Sequence, residues 1–131
     1  MTQEQKDLLL KDLCARLPYG VKVLCLMDFN HDWYNLEMVD IGDNEVYVTT
    51  YEPYANRYVK IEEVKPYLFP LSSMTDEQIV ELTKLINTGQ NDNNEFMRSF
   101  CRTEFYHKNH FDYRGLIPMG LAINATGKNI Y

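Results

Sequence analysis

Between Val21 and Ile61 the chain repeats one pattern four times: a short run of strand-forming residues, then a polar turn. Val21 to Phe29 holds Val21, Val23, Leu24, Cys25 and Leu26, and Asn30-His31-Asp32 turns it. Trp33 to Ile41 carries Trp33, Leu36, Met38 and Ile41 before Gly42-Asp43-Asn44. Glu45 to Tyr51 alternates, with Val46 and Val48 on one face and Tyr47 and Thr49 on the other. Pro53 to Asn56 turns again, ahead of a fourth short strand over 57–61. Strands at this spacing, joined by short turns, predict an antiparallel meander. A strongly bent meander of this length closes into a small SH3-like barrel, and the sequence leaves open and closed forms both available.

Helices are predicted on either side. Thr2 with Gln5 fits a capping box, and Leu9, Leu10, Leu13, Cys14 and Leu17 recur at helical spacing, giving a helix over 3–17 with Leu10, Leu13 and Leu17 inward. Pro18 ends it. Thr75 with Gln78 repeats the box before Ile79, Leu82, Leu85 and Ile86, giving a helix over 76–87. Residues 89–94 read as a polar connection. Residues 95–107 read as a third helix with Phe96 and Phe100 inward, and a strand over 103–107 is the alternative. Residues 62–71, stiffened by Pro66 and Pro70, read as a connector that crosses a surface and plugs the end of a sheet. Gly115, Pro118 and Gly120 punctuate a segment that turns twice and lays an extended arm on the core, and 124–131 read as frayed. The class is therefore α+β, one domain over 1–131: an N-terminal helix, about four antiparallel strands, two helices and an extended C-terminal segment.

Composition narrows the function. No apolar run reaches membrane-spanning length, and the polar start, Met1 to Asp7, lacks a signal-peptide pattern. The widely spaced Cys14, Cys25 and Cys101 suit reduced thiols in a cytoplasmic protein, with the buried ones acting as small hydrophobes. From Asp28 to Glu63 nine acidic residues face two basic ones, a balance of −7. The whole chain carries −6, which disfavours non-specific contact with a phosphate backbone.

Several segments resemble a known group. Asp12-Leu13-Cys14-Ala15-Arg16-Leu17-Pro18-Tyr19-Gly20-Val21, then Ile61 through Lys65-Pro66-Tyr67-Leu68 to Ser72-Ser73-Met74-Thr75, then Asn109-His110-Phe111-Asp112-Tyr113-Arg114-Gly115-Leu116-Ile117 and Gly120-Leu121-Ala122 are similar to small uncharacterised proteins encoded in phages and mobile elements of gut Bacteroidetes. The run around Asp112 to Gly115 is the most specific. The resemblance implies a setting, a bacterial cytoplasm with a phage or mobile element, and implies no reaction and no catalytic residue.

Three functional readings follow from the residues. Ten tyrosines offer broad, rigid rings with a polar tip, the kind of surface enriched at interfaces. Tyr47, Tyr51, Tyr54, Tyr58 and Tyr67, with Asp40, Asp43 and Glu45 as an acidic rim, form the first candidate site, for an unidentified host or phage protein. An acidic face of this kind can also imitate nucleic acid towards a DNA-binding target. The second reading is a small metal-dependent hydrolase centred on His107, His110 and Asp112, beside Tyr113 and Arg114. Two imidazoles at i and i+3 with a nearby carboxylate match a facial ligand set, although the i, i+4 pair with an intervening Glu of zinc hydrolases is missing. The plainer alternative places His110 beside Phe111 and Tyr113 and makes Asp112 a turn cap or an ion-pair partner of Arg114. The third is a nucleic-acid module using Arg98, Arg102, Lys108 and Arg114. Asp28, His31 and Asp32 share one turn, where acid–base chemistry and ordinary turn chemistry both explain them. The leading reading is a binding protein, with no catalytic residue, metal or cofactor assigned and the oligomeric state open.

Overall fold

The computed structural model describes residues 1–88 and 95–131; the connection expected over 89–94 lies outside them. Helix α1 spans Gln3–Arg16 and starts on the expected capping box, both halves of which form: Gln5 N donates to Thr2 Oγ1 (3.1 Å) and Thr2 N to Gln5 Oε1 (3.0 Å). Leu9, Leu10 and Leu13 are buried, and so are Asp12 and Arg16 on the same stripe. The meander follows as β1 (Lys22–Cys25), β2 (Tyr34–Asp40), β3 (Glu45–Thr49) and β4 (Arg57–Lys60). Alternation does the work the sequence assigned to it: Val23, Cys25, Tyr34, Leu36, Val46, Val48 and Val59 point into the core. A bulge between Leu36 and Met38 shifts the β2–β3 register by one residue.

The expected connector is instead a strand. β5 (Val64–Pro70) lies antiparallel to β1, with Val23 opposite Pro66 and Leu24 opposite Lys65. Leu26 N donates to Glu63 O just before β5, so by alternation the bonded sites facing β1 fall at Lys65 and Tyr67, and the missing N–H of Pro66 falls between them. That placement is why proline is tolerated inside the sheet. Beyond it, β5 takes two short parallel partners from the C-terminal segment. Phe69 and Pro70 pair with β6 (Phe111–Asp112), and Tyr67 and Leu68 pair with β7 (Ile123–Asn124). The sheet order is β4-β3-β2-β1-β5-β6 with β7 also on β5, so the sheet is mixed and open rather than a closed barrel.

Helices α2 (Asp76–Thr88) and α3 (Glu95–Lys108) stand between β5 and β6, α3 remaining helical where a strand was the alternative. No residue of α2 from 76 to 87 is fully buried, whereas α3 buries Phe105 and His107. The core runs from Leu9 and Leu13 through Val21, Ile61, Val64 and Leu68 to Leu116 and Leu121. Each such side chain contributes ~1.5–3 kcal/mol relative to exposure, so α1, the sheet and the C-terminal segment supply most of the stability and α2 little.

The C-terminal residues are anchored rather than frayed. The Tyr131 ring stacks on His110, its hydroxyl donates to Tyr67 O (2.8 Å) and accepts from Lys22 N (2.9 Å). Gly115 and Gly120 both adopt φ +76°, the left-handed conformation that lets the segment turn twice.

Candidate functional site

Successive antiparallel strands put the β1–β2 and β3–β4 connections at the same end of the sheet. A cluster of ionisable side chains joins them there. His31, from the first connection, is buried. Its Nδ1 lies 2.8 Å from Asp28 Oδ2 and its Nε2 lies 2.8 Å from Glu52 Oε1, in the second connection. The Tyr34 hydroxyl donates to Asp28 Oδ2, Asn30 N donates to Asp28 Oδ1 (2.8 Å), and the Tyr54 hydroxyl donates to Glu52 Oε2. Arg57 approaches Asp28 Oδ2 at 3.8 Å and stands over the Tyr34 ring. Tyr51 meets the His31 ring edge-on, with centroids 5.6 Å apart.

The electrostatics follow from these contacts. The Tyr34 hydroxyl, helped by the Asn30 amide and His31, holds the Asp28 carboxyl down at about 2. Bonds to Asp28 and then Glu52 raise the His31 imidazole above its ordinary value. The Tyr54 hydroxyl and then His31 lower Glu52. Burial pushes the neighbouring Cys25 thiol up to about 11, which keeps it protonated and inert as a nucleophile. Both ring nitrogens lie at hydrogen-bond distance from a carboxylate oxygen. The two carboxylates favour the protonated ring, and in that form His31 donates to both. The arrangement joins the two connections through one imidazole.

Around this buried cluster the surface is apolar and aromatic. Phe29 is 94% exposed, Tyr54 80%, Tyr51 72% and Met27 70%. Groups this exposed on backbone that buried hydrogen bonds hold in place are available for contact without reordering. On the outward face of the sheet, Met38, Tyr47 and Tyr58 stand opposite one another across β2, β3 and β4, the two tyrosine rings 4.9 Å apart. Glu45 pairs with Lys60 (2.7 Å), Glu37 accepts from Thr49 Oγ1 (2.8 Å), and Asp40 accepts from Asp43 N (3.2 Å), framing that row with carboxylates.

Of the tyrosines expected to form one face, Tyr47 and Tyr58 share the outer face and Tyr51 and Tyr54 the loop end. Tyr67 belongs to neither: it is buried, and its hydroxyl donates to Asp32 O (2.6 Å). Strand β5 lies inside the sheet, so this ring is part of the packing. The turn residues also separate. Asp28 and His31 enter the cluster, while Asp32 gives its main-chain carbonyl to the Tyr67 hydroxyl.

The C-terminal candidates each have another partner. His107 Nε2 bonds the Tyr113 hydroxyl (2.7 Å), and His110 lies against Tyr131 at φ +61°. Asp112 is buried and accepts from Leu116 N (2.9 Å) and Ile117 N (2.8 Å), the turn-cap role. Burial, with Arg16 nearby, holds both histidines down at about 4. Among the described residues no three His, Cys, Asp or Glu side chains are grouped to hold a metal. Arg114 turns inward, donating to buried Asp12 (3.1 Å), and so leaves the basic set it was expected to share with Arg98, Arg102 and Lys108.

Glu52 is the functional candidate that sequence reasoning passed over. It lies 21 residues from His31, and only the shared sheet end brings them together. No helix among the described residues is long and apolar enough to cross a membrane. No protein-family model matches the chain, and neither a curated protein nor a solved structure matches it.

Proposed function

We propose that this chain is a non-enzymatic accessory protein that acts by binding another protein through its acidic, tyrosine-bearing sheet. The observation that carries this reading is the ring of exposed Met27, Phe29, Tyr51 and Tyr54 around a buried imidazolium–carboxylate cluster. The structural work of that cluster is to hold two loops in register, and the side chains it presents are the broad, rigid kind that dominate binding surfaces. The acidic balance of the surrounding segment favours a partner segment rich in Lys and Arg, whose cations can rest on tyrosine faces. The resemblance at the two ends of the chain supports a phage or mobile-element setting in a bacterial cytoplasm, with a host or phage protein as partner.

The test is affinity capture of the tagged chain from a bacterial host carrying the element, beside a variant with Tyr51→Ala and Tyr54→Ala. One protein retained stoichiometrically by the parent and lost by the variant is expected. Equal retention by both would remove the loop end from the interface.

A further inference from the structure

We infer that the Asp28–His31–Glu52 bridge is a pH-sensitive clamp: losing one proton from His31 frees Glu52, with the flanking Tyr51 and Tyr54 rings, from the body of the sheet. The inference rests on the proposed docking reading only for its consequence in binding; the clamp itself is a property of the free chain.

The geometry sets the order of events. With both nitrogens donating, the imidazolium ties the β1–β2 connection to the β3–β4 connection. A neutral imidazole has one N–H and one lone pair, so one of the two carboxylates then faces a lone pair and is repelled. The Asp28 side chain is 7% exposed and also accepts from Tyr34 and Asn30, whereas that of Glu52 is 34% exposed. The better-solvated carboxylate leaves: the Nε2 proton passes to water and Glu52 swings outward.

The turn that carries Glu52 is seated on the core by Ala55. Thr50 N donates to Asn56 Oδ1 (2.9 Å), Ala55 N to Glu52 O (2.9 Å) and Asn56 N to Pro53 O (3.2 Å), so the turn keeps its base while Glu52 and the flanking Tyr51 and Tyr54 rings turn outward. Every charged or titratable group facing His31 enters this balance. Asp28 and Glu52 favour the imidazolium. Arg57, near Asp28, opposes it. The Tyr34 and Tyr54 hydroxyls, raised by burial and by the carboxylates they donate to, stay neutral, and so does the buried Cys25 thiol.

Nuclear magnetic resonance of the free chain tests this, following the His31 ring and the Tyr51 and Tyr54 rings from pH 5 to 9. The expected result is one shared midpoint, above the ordinary imidazole value of roughly 6.5. In Glu52→Gln, which keeps an acceptor and removes the charge, the His31 midpoint is expected to fall by about one pH unit. Tyrosine signals that ignore the His31 midpoint, or a midpoint unmoved in Glu52→Gln, would overturn the clamp. Because no partner is present, failure here is distinct from failure of the docking reading, which the capture experiment reads.

Discussion

Arg16 donates from Nε to Asp12 Oδ2 at 2.7 Å with neither side chain exposed, one turn apart on the buried stripe of α1. The pair holds distant parts of the chain together. Arg16 Nη2 also donates to Phe111 O (2.7 Å), and Arg114 donates to the other Asp12 oxygen. The Asp12–Arg16 pair thus ties α1 to two points of the C-terminal segment. Desolvating such ions is costly, so their value lies in the positions they fix rather than in net stability.

Removing Asp12 is expected to be severe. Asp12→Ala leaves two guanidinium groups without their carboxylate, one of them fully buried, and a buried pair broken on one side costs about 3–5 kcal/mol. The double variant Asp12→Leu with Arg16→Met should recover part of that and no more, because the Phe111 carbonyl then loses its donor. Urea denaturation midpoints of the three proteins check this; a double variant no more stable than Asp12→Ala would show that the stranded charge is not what the single variant loses.

Tyr131 is expected to stabilise the fold from the far end of the chain. Tyr131→Phe removes the hydroxyl that joins Lys22 N and Tyr67 O and should cost about 1–2 kcal/mol. Tyr131→Ala also removes the stack on His110 and should cost roughly another 0.5–1.5 kcal/mol. Equal stability of all three proteins in urea would mean that the last residue is not docked in solution.

Asp112 is expected to act as a cap. Asp112→Ala orphans the Leu116 and Ile117 amides and should cost about 2 kcal/mol, while Asp112→Asn, with one carbonyl acceptor left, should cost about half of that. Thermal unfolding of both variants reads the difference. An Asn variant worse than the Ala variant would contradict the cap.

Stability should vary with pH in opposite senses at different histidines. For His31 the folded value is raised, so its contribution is full below roughly pH 6.5 and is lost as pH rises through the folded value. For His107 and His110 the folded value is near 4, so the unfolded chain binds more protons below roughly pH 6.5 and stability falls from there down to about pH 4. Asp28, held at about 2, adds a loss as pH falls from near 4 to about 2. Denaturation midpoints across pH 2–9 should therefore peak near neutrality. His31→Gln should flatten the alkaline limb and also soften the acid one, because His31 helps to lower Asp28 and Glu52.

Much of the fold was legible because local signals agreed. Both capping boxes, the alternation of Val46 and Val48, and the helical spacing of Leu9, Leu10 and Leu13 each point to one structure. β5 was not legible because Pro66 and Pro70 argue against a strand, and only the pairing register shows that Pro66 needs no N–H there. Tyr131 and Glu52 were missed for another reason. Their partners lie 64 or more residues away in one case, at Tyr67 and Lys22, and 21 away in the other, and no local periodicity reports such contacts. Asp12 and Arg16 carried a usable signal: a charged pair at i, i+4 on the same stripe as buried leucines is a candidate buried pair.

The loop-end tyrosines should separate binding from folding. Tyr51 and Tyr54 are 72% and 80% exposed, so trading both for Ala removes little buried area, and the denaturation midpoint should move by less than about 1 kcal/mol equivalent. The same variant should lose most of the partner retained by the parent, because exposed aromatic anchors carry ~2 kcal/mol or more each at a binding surface. Met38→Ala on the outer face is the control for position. If it abolishes capture while the double tyrosine variant does not, the interface is the Met38–Tyr47–Tyr58 row. Loss in the tyrosine variant with Met38→Ala unaffected places the interface at the loop end, where the His31 bridge sets how the rings are presented.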